Sequence, residues 1–561
     1  MDNKDIIRRF SVSKNIKEAV LSQIPKDALY IMMIGFADGS LVRELRDALP
    51  SMIRLFIWEP DEKTFSLACR NADIEDLLHR EQIDIVVGRD KEKIKSAIEK
   101  GLEKHNVNHA ISFCIPGFSD LYESEESLLK ELFEEAAFKL RMDAATNRYM
   151  AERTCRNQLI AMSFMHQNST VDQLMKRIPT RELPVILVAS GPSLKKNVHL
   201  LKEVSDKALI VAAAHSAAFL KKQGVDIHFA LMLDAFGGSH FMDHDTESST
   251  RMLLDARCVP EIQRKYNGNI VYSWFDQTLF PVSGVDYRLF EYSSGGSVMT
   301  NAFSMFRNAG FKNIILVGQD LAFDEDGYSH MNQEMEERGK TADPLMIEGI
   351  DGNQVMTRDD WLMFLLFFED EISKHPEVNV IDATEGGALI HGSKVMPLKE
   401  AIDTYCVREY PLNEWIDCLP KVCGGDQKEI LEIIQRRYRD AQIMQEKLET
   451  VCRINRLLHT HVSRDSLLQG GIQKQAAEYD QLYTDITESE NANLTLAYCD
   501  DILQEYIENA LTVEGAGGVK DKLETEYALF TGMRERNREM LEFISQIFFA
   551  GDSEKGNKSE K

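Results

Sequence analysis

Nine cysteines in 561 residues, dispersed from Cys69 to Cys499, are too few and too scattered to staple a secreted fold. The nearest pair, Cys418 and Cys423, is separated by four residues and has no second pair to complete a zinc site. They read as reduced thiols of a cytoplasmic chain, used mostly in packing. Long apolar runs are missing as well. The richest, Trp361 to Phe368 (WLMFLLFF), is far too short to span a bilayer, and the amino terminus MDNKDIIRRF has no apolar signal core. Basic residues are outnumbered, 65 Lys and Arg against 91 Asp and Glu, for a net charge of −26. Nucleic acids and anionic membranes recruit clustered Lys and Arg, so this balance speaks against both as general partners. A pocket for a single nucleotide stays compatible with it.

At about 100–200 residues per domain, the length asks for about three domains. Over residues 1–150 short apolar runs alternate with amphipathic stretches. Ala28–Ile34, Ile53–Trp58, Ile83–Val87 and His109–Ile115 read as buried strands, with helices such as Ser40–Ala48 between them. This is the grammar of a parallel, Rossmann-like sheet. The stretch Ser124–Arg177 has no proline and reads as a helical linker to about residue 180. A second α/β unit, 181–397, follows. Its strands are predicted at Pro184–Ala189, Leu209–Ala213, Phe229–Leu233, Asn269–Tyr272, Ile314–Val317 and Val378–Ile381, and its helices at Ser297–Ala309 and Arg358–His375. From 398 to 550 strand signals vanish and helical spacing takes over, as in a helical bundle, with Gly515, Gly517 and Gly518 breaking its last two helices apart. Residues 551–561 are a charged tail expected to be disordered.

Two glycine turns follow strands. The first, Gly35-Phe36-Ala37-Asp38-Gly39, ends the first strand, with Glu59 closing the second; this is the place where a Rossmann-like domain holds phosphate and ribose. The spacing is G-x-x-x-G, however, and a turn kept for packing is the simpler reading. The second, Ala189-Ser190-Gly191-Pro192-Ser193-Leu194, is sharper. Gly191 permits close backbone approach, Pro192 suits a first helical position, and Ser193 adds a hydroxyl beside amides that would attract phosphate. Later strand ends add His215 and Ser216, Asp234, the loop Ser294-Gly295-Gly296-Ser297 with Ser297 as a helix N-cap, and Gly318-Gln319-Asp320, followed by Tyr328-Ser329-His330. In an open α/β sheet these ends share one crevice.

His240 and His244 are spaced to chelate a metal if helical, but they follow Gly237-Gly238 without the H-E-x-x-H glutamate and read as a polar loop. No D-x-D closes the Phe229–Leu233 strand. No metal is therefore expected.

The run G-P-S-L after a strand, the S-G-G-S loop, G-Q-D-L-A, Y-S-H and the Ala383–Ala388 run A-T-E-G-G-A resemble the central, MptE-like domain of the bacterial motility-associated factor (Maf) flagellin glycosyltransferases. Their resemblance extends to the amino-terminal domain through its G-F-x-x-G turn and Glu59-Pro60-Asp61, and to the helical end by layout. More remotely the central unit is similar to bacterial sialyltransferases that use CMP-sialic acid. Here Ala189 and Ser190 replace the glycine and asparagine of the sialyltransferase G-x-G-P-S-L run. The implied fold is an amino-terminal Rossmann-like domain, a central Rossmann-like, GT-A-like sialyltransferase-type α/β domain and a carboxy-terminal α-helical bundle.

What the resemblance implies is transfer of a nonulosonic acid, pseudaminic or legionaminic, from its CMP form to Ser or Thr hydroxyls of flagellin, with no cofactor beyond the donor. Gly191, Pro192 and Ser193 would hold phosphate or cytidine, His215, Ser216 and Asp234 would face the nucleotide, and Ser294, Gly295, Gly296 and Ser297 would line the sugar-nucleotide loop. His330 would be the general base, Tyr328 a donor to the phosphate, and Asp320 and Gln319 orienting groups, with Glu385 nearby. Two other readings use the same crevice. One is a hydroxymethylpterin pyrophosphokinase requiring ATP and Mg²⁺; the other is a non-enzymatic flagellin-binding scaffold.

Overall fold

A computed structural model of the chain describes residues 20–22, 24–25, 28–50, 53–71, 77, 82–103, 106–115, 121–236, 249–290, 294–331, 345–462, 472–513 and 518–549. His240 and His244, Gly515 and Gly517, and the tail 551–561 lie outside the described residues.

The first sheet contains β1 (Tyr30–Ile34), β2 (Arg54–Glu59), β3 (Ile83–Val87) and β4 (Ala110–Cys114), all parallel in the order β3-β2-β1-β4. Helices α1 (Ser40–Ala48), α2 (Glu62–Asn71) and α3 (Lys91–Gly101) follow β1, β2 and β3. Each strand lies within a predicted run, trimmed or extended by a residue or two at its ends. Continuous Val, Ile, Leu and aromatic runs suit strands covered on both faces.

The first glycine turn closes on its own side chains. Glu59 is fully buried; one carboxylate oxygen accepts from the Phe36 amide at 2.8 Å and the other from the Asp61 amide and the Tyr122 hydroxyl, each at 3.0 Å. Burial pushes its pKa up, against those hydrogen bonds. Phe36 is itself buried edge-on to Phe65, and Ile115 fills the space beside Gly35. A carboxylate that is fully buried and accepts three hydrogen bonds from its own chain is not presented to a ribose, so this turn reads as packing.

Helix α4 (Glu123–Phe164) runs for 42 residues. The predicted helix to Arg177 is instead broken by a 3₁₀ turn and β5 (Ser169–Thr170) before α5 (Val171–Arg177). Asn168 causes the break: its carboxamide donates back to the Phe164 carbonyl and to Asn267, and accepts from the Gly268 amide, which ties the chain to the sheet.

The large sheet holds β5, β6 (Val185–Val188), β7 (Leu209–Ala213), β8 (Phe229–Met232), β9 (Met252–Asp255), β10 (Ile270–Trp274), β11 (Asn313–Val317), β14 (Asn379–Asp382) and β15 (Lys394–Val395). Every pairing is parallel, in the order β15-β14-β11-β6-β7-β8-β9-β10-β5. The strands from β6 to β10 progress to one side; β11 and β14 return to the other. The reversal between β6 and β11 is the switch point at which such sheets open a crevice.

In chain order the helices here are α6 (Leu194–Asn197), α7 (Ala214–Lys222), α8 (Pro260–Lys265), α9 (Val298–Asn308) and α10 (Asp359–Lys374), with an antiparallel hairpin of β12 (Leu345–Glu348) and β13 (Gln354–Thr357) before α10. Sequence periodicity misses β5, β9, the hairpin and β15, which are at most four residues long. Short helices α11 (Leu398–Tyr405) and α12 (Leu412–Asp417) follow.

The rest is helical: α13 (Lys428–Val462), α14 (Gln473–Thr487), α15 (Asn493–Tyr498), α16 (Asp500–Val513) and α17 (Val519–Phe548). Their apolar faces meet in a core that includes Leu448, Val451, Ile486, Phe530 and Met533. The chain divides into two compact units: residues 1–151 with 444–538, and residues 152–443 with 539–561. Among the described residues no cysteine forms a disulfide, and no helix is long and apolar enough to cross a membrane.

Replacing Glu59 by Ala removes the acceptor of three buried or half-buried donors. The expected result is a loss of roughly 2–4 kcal/mol in the first sheet. Hydrogen exchange of the β1 and β2 amides measures it.

Candidate functional site

A cavity of about 290 Å³ opens beyond the carboxyl ends of β6, β7, β8 and β11. Gly191, His215, Asp234, Ser297, Gln319, Asp320 and His330 line it, so seven residues singled out in the sequence come together. They arrive from the chain after β6, β8 and β11 and from the starts of α7 and α9, and the parallel topology makes those ends coincide.

The floor is a weld between the two switch-point strands. The Ala189 amide donates to the Val317 carbonyl and the Gly191 amide to the Gly318 carbonyl, both at 2.9 Å. Asp320 then reaches across: its carboxylate accepts from the Ser193 amide at 3.0 Å and the Ser193 hydroxyl at 2.6 Å. A β-carbon on Gly191 would lie 2.0 Å from the Asp320 carboxylate, which is why that position is glycine. Gly387, at φ +78°, is constrained in the same way: its β-carbon would lie 2.2 Å from the Asp320 carbonyl oxygen, which accepts from the Ala388 amide at 2.7 Å.

This geometry corrects several sequence expectations. Ser193 is 2% exposed, and both its donors are spent on Asp320. Pro192 lies in a turn, and α6 begins at Leu194, whose amide bonds to the Gly191 carbonyl. Neither residue lines the cavity. The amides expected to hold phosphate are instead satisfied by an internal carboxylate and by the turn. Asp320, expected to orient a substrate, is 6% exposed and committed to Ser193, so it is a positioning residue. Ser216 is fully buried and donates to the Ala213 carbonyl at 2.9 Å.

Glu385 sits at φ +61°, and its carboxylate accepts from Asn197 at 3.1 Å and from the Leu398 amide at 2.9 Å, which fixes the 384–388 loop away from the cavity. Tyr328 belongs to a loop in which its amide donates to the Asp324 carboxylate at 2.7 Å, and it does not line the cavity. Ser294, Gly295 and Gly296 do not line it either. Side chains at Gly295 and Gly296 would collide with or crowd Phe367 and Phe364 of α10, so those glycines admit an aromatic helix face.

Ser297 caps α9 as expected, in a reciprocal arrangement with Thr300 at 3.0–3.1 Å. His215 is the second residue of α7, and its ring centroid lies 5.0 Å from that of His330. The His330 Nδ1 is 2.8 Å from the Ser329 hydroxyl. The Met331 amide donates to the Ser190 carbonyl at 2.9 Å and pins this loop over the first strand end. The Asp234 carboxylate accepts from the Phe236 amide at 2.7 Å.

Sequence reading missed the aromatic wall, Trp361 and Phe364 of α10. Their i, i+3 spacing inside the WLMFLLFF run was the available signal, because it puts both on one helix face. Also missed was Asp382 at the end of β14. It is 1% exposed, accepts from the Thr384 amide at 3.1 Å, and has its second oxygen buried without a hydrogen bond. Burial pushes both Asp320 and Asp382 up to about 6, and the proximity of Asp382 adds to the rise at Asp320. Among the described residues no cluster of three or more His, Cys, Asp or Glu is arranged to hold a metal ion.

Two predictions follow from the weld. A folded-state pKa above the unfolded value of about 4 means stability that is complete below pH 4 and is lost as pH rises through about 6. Asp382→Asn keeps the acceptor for Thr384 and removes the buried charge, so its gain in unfolding free energy, read by urea denaturation, is expected to be near zero at pH 4 and to grow toward pH 7.5, by an amount on the order of 2–3 kcal/mol. Gly191→Ala is expected to misplace Asp320 and to cost at least about 2 kcal/mol, read by urea denaturation of the second unit.

Comparison with known proteins agrees with this architecture. Residues 156–326 match the family described as 6-hydroxymethylpterin diphosphokinase MptE-like. No curated protein sequence matches the chain. The solved structure of a Maf glycosyltransferase from Magnetospirillum magneticum AMB-1 superposes with a TM-score of 0.56 at 13% identity, covering 98% of this chain and 88% of that one. Residues 156–326 are thus similar to the MptE-like family, and the chain shares, along nearly its whole length, the fold of that Maf glycosyltransferase.

Proposed function

We propose that the chain is a cytoplasmic glycosyltransferase that moves a nonulosonic acid, pseudaminic or legionaminic, from its CMP-activated form to Ser or Thr hydroxyls of flagellin. The observation that carries this reading is the cavity at the switch point, where His330 and His215 face one space beside the first turns of α7 and α9. The fold likeness over 98% of the chain supports it, because a pterin kinase has no need of the flanking helical and α/β regions.

In this mechanism the acceptor oxygen attacks the anomeric carbon and the bond from that carbon to the phosphate oxygen breaks. The electron pair leaves with CMP. The acceptor proton passes to Nε2 of His330, which is basic when Nδ1–H donates to the Ser329 hydroxyl, 2.8 Å away. Backbone N–H groups in the first turns of α7 and α9, left over by the helical pattern, meet the charge that develops on the phosphate. Ser193, Asp320 and Glu385 act at one remove by fixing the strand ends. No metal is required, since the leaving group is already a phosphate monoester. Trp361 and Phe364 supply an apolar wall against which a ring can lie.

The family description over residues 156–326 favours a second reading, pyrophosphate transfer from ATP to a hydroxymethylpterin with Mg²⁺. Calorimetry separates the two. CMP affinity without ATP affinity is expected, and tight ATP binding without CMP affinity would favour the kinase. With flagellin as acceptor, His330→Ala should lower kcat by about 10²–10⁴-fold and retain CMP binding. Full transfer by that variant removes His330 from the mechanism. Intact mass of flagellin co-expressed with this chain and a donor pathway should rise by one or more sugar residues. An unchanged mass with donor present would sink the transferase reading.

A further inference from the structure

The cavity is short of cations. No Lys or Arg is among the described residues that line it, and its titratable groups are His215, Asp234, Asp320 and His330. Taken element by element, α7 contributes His215, the end of β8 contributes Asp234, and the chain after β11 contributes Asp320 and His330. The first turn of α9 and the facing side of α10 contribute no charge, only Ser297, Val298, Met299, Trp361 and Phe364. Asp382 and Lys196 act electrostatically on Asp320 without lining the cavity, and the Lys196 ammonium donates to the Glu385 carbonyl at 2.9 Å.

Among the described residues, an anion entering such a space meets two carboxyl groups and no permanent positive side chain. Desolvating an unpaired anion costs several kcal/mol. Helix first turns offset part of that through about half a charge each. Among the described lining residues the remaining source of positive charge is an imidazole that takes up a proton.

We propose that His215 takes up one proton when an anionic nucleotide binds, so that the cavity's affinity is linked to pH. This rests on the nucleotide reading given above and adds to it the group that balances the charge. His215 is the second residue of α7. The positive end of that helix opposes an imidazolium while the cavity holds no anion, and an anion drawn to the same end reverses the balance. The neighbouring ring then matters. With 5.0 Å between centroids, a charge on His215 disfavours a second charge on His330. The pair thereby divides its duties: His215 carries the positive charge that holds the phosphate, and His330 stays neutral and able to accept the proton of the acceptor hydroxyl. The proton taken up on binding comes from solvent and returns to it when CMP leaves.

The test uses the full chain and the methyl ester of CMP, a phosphodiester whose single negative charge does not titrate near neutral pH. Calorimetry at pH 7 in two buffers of different ionisation enthalpy counts protons. Net uptake approaching one proton is expected, with affinity weakening by up to about tenfold per pH unit once pH exceeds the pKa of the bound His215. His215→Asn should lose both the uptake and the pH slope, and His330→Asn should keep both. Neutral cytidine should show no slope. Binding of the ester without proton uptake, uptake retained in His215→Asn, or uptake lost only in His330→Asn would each overturn the assignment. The wild-type proton count needs no variant, and His215→Gln serves as the second substitution if Asn perturbs the helix start. A wild-type chain that binds neither ester nor cytidine at any pH overturns the nucleotide reading itself and this inference with it, an outcome distinct from binding without uptake.

Discussion

The carboxylate of Asp320, held by the amide and hydroxyl of Ser193, is the interaction on which the central unit depends. It joins the turn after β6 to the turn after β11, the two strands between which the sheet reverses direction. Two glycines are explained by the position of Asp320, and a third by the approach of the two strands. Gly191 and Gly387 lack β-carbons because Asp320 occupies the space, and Gly318, at φ +66°, brings β11 against the Ala189 carbonyl. The Thr384–Ala388 loop closes over the same residue through the Ala388 amide, and the Glu385 carboxylate ties that loop to Asn197 and the Leu398 amide. A buried carboxylate pays a desolvation penalty, visible in its raised pKa, and two short hydrogen bonds offset it. What results is a rigid floor from which the reactive groups project.

The two glycine turns of this chain share a device. In the amino-terminal sheet Glu59 satisfies the Phe36 and Asp61 amides, and in the central sheet Asp320 satisfies Ser193. Each turn would offer its amides to a phosphate in an open sheet, yet each is filled by a carboxylate from its own chain. They differ in what surrounds them. Around Glu59 the described neighbours include Tyr122, Phe36 and Phe65. Around Asp320 the adjacent strand ends carry two histidines and an acid to one cavity, bounded by Trp361 and Phe364. None of the described residues lining that cavity is arginine or lysine, so under the proposed reading an anion would be met by the first turns of α7 and α9 and by the imidazoles.

Local pattern was enough to read ten of the strands and every long helix of the fold, because continuous apolar runs of four to seven residues separated by amphipathic stretches admit few other arrangements. Segments of two to four residues escaped, since β5, β9, β12, β13 and β15 carry too few residues to establish a period. Strand pairing of that kind is set by neighbours. The Asn168 break in the long helix was equally hidden, because its cause is a hydrogen bond to Asn267, 99 residues further on.

The candidate site divides along the same line. Sequence alone determined which strand ends would meet, since parallel strands place their carboxyl ends on one edge, and so His215, Asp234, Ser297, Gln319, Asp320 and His330 were nameable in advance. Only the tertiary structure decided what each does there. Ser193, Glu385 and Asp320 bear the residue types of a binding site but spend their polar atoms within the chain, Ser193 and Asp320 on each other and Glu385 on Asn197 and the Leu398 amide, while Trp361 and Phe364, from a run that reads as a core helix, reach the cavity wall. The physical reason is that a side chain's chemistry is written in the sequence, whereas the partner that satisfies it is fixed by distances between residues far apart in the chain.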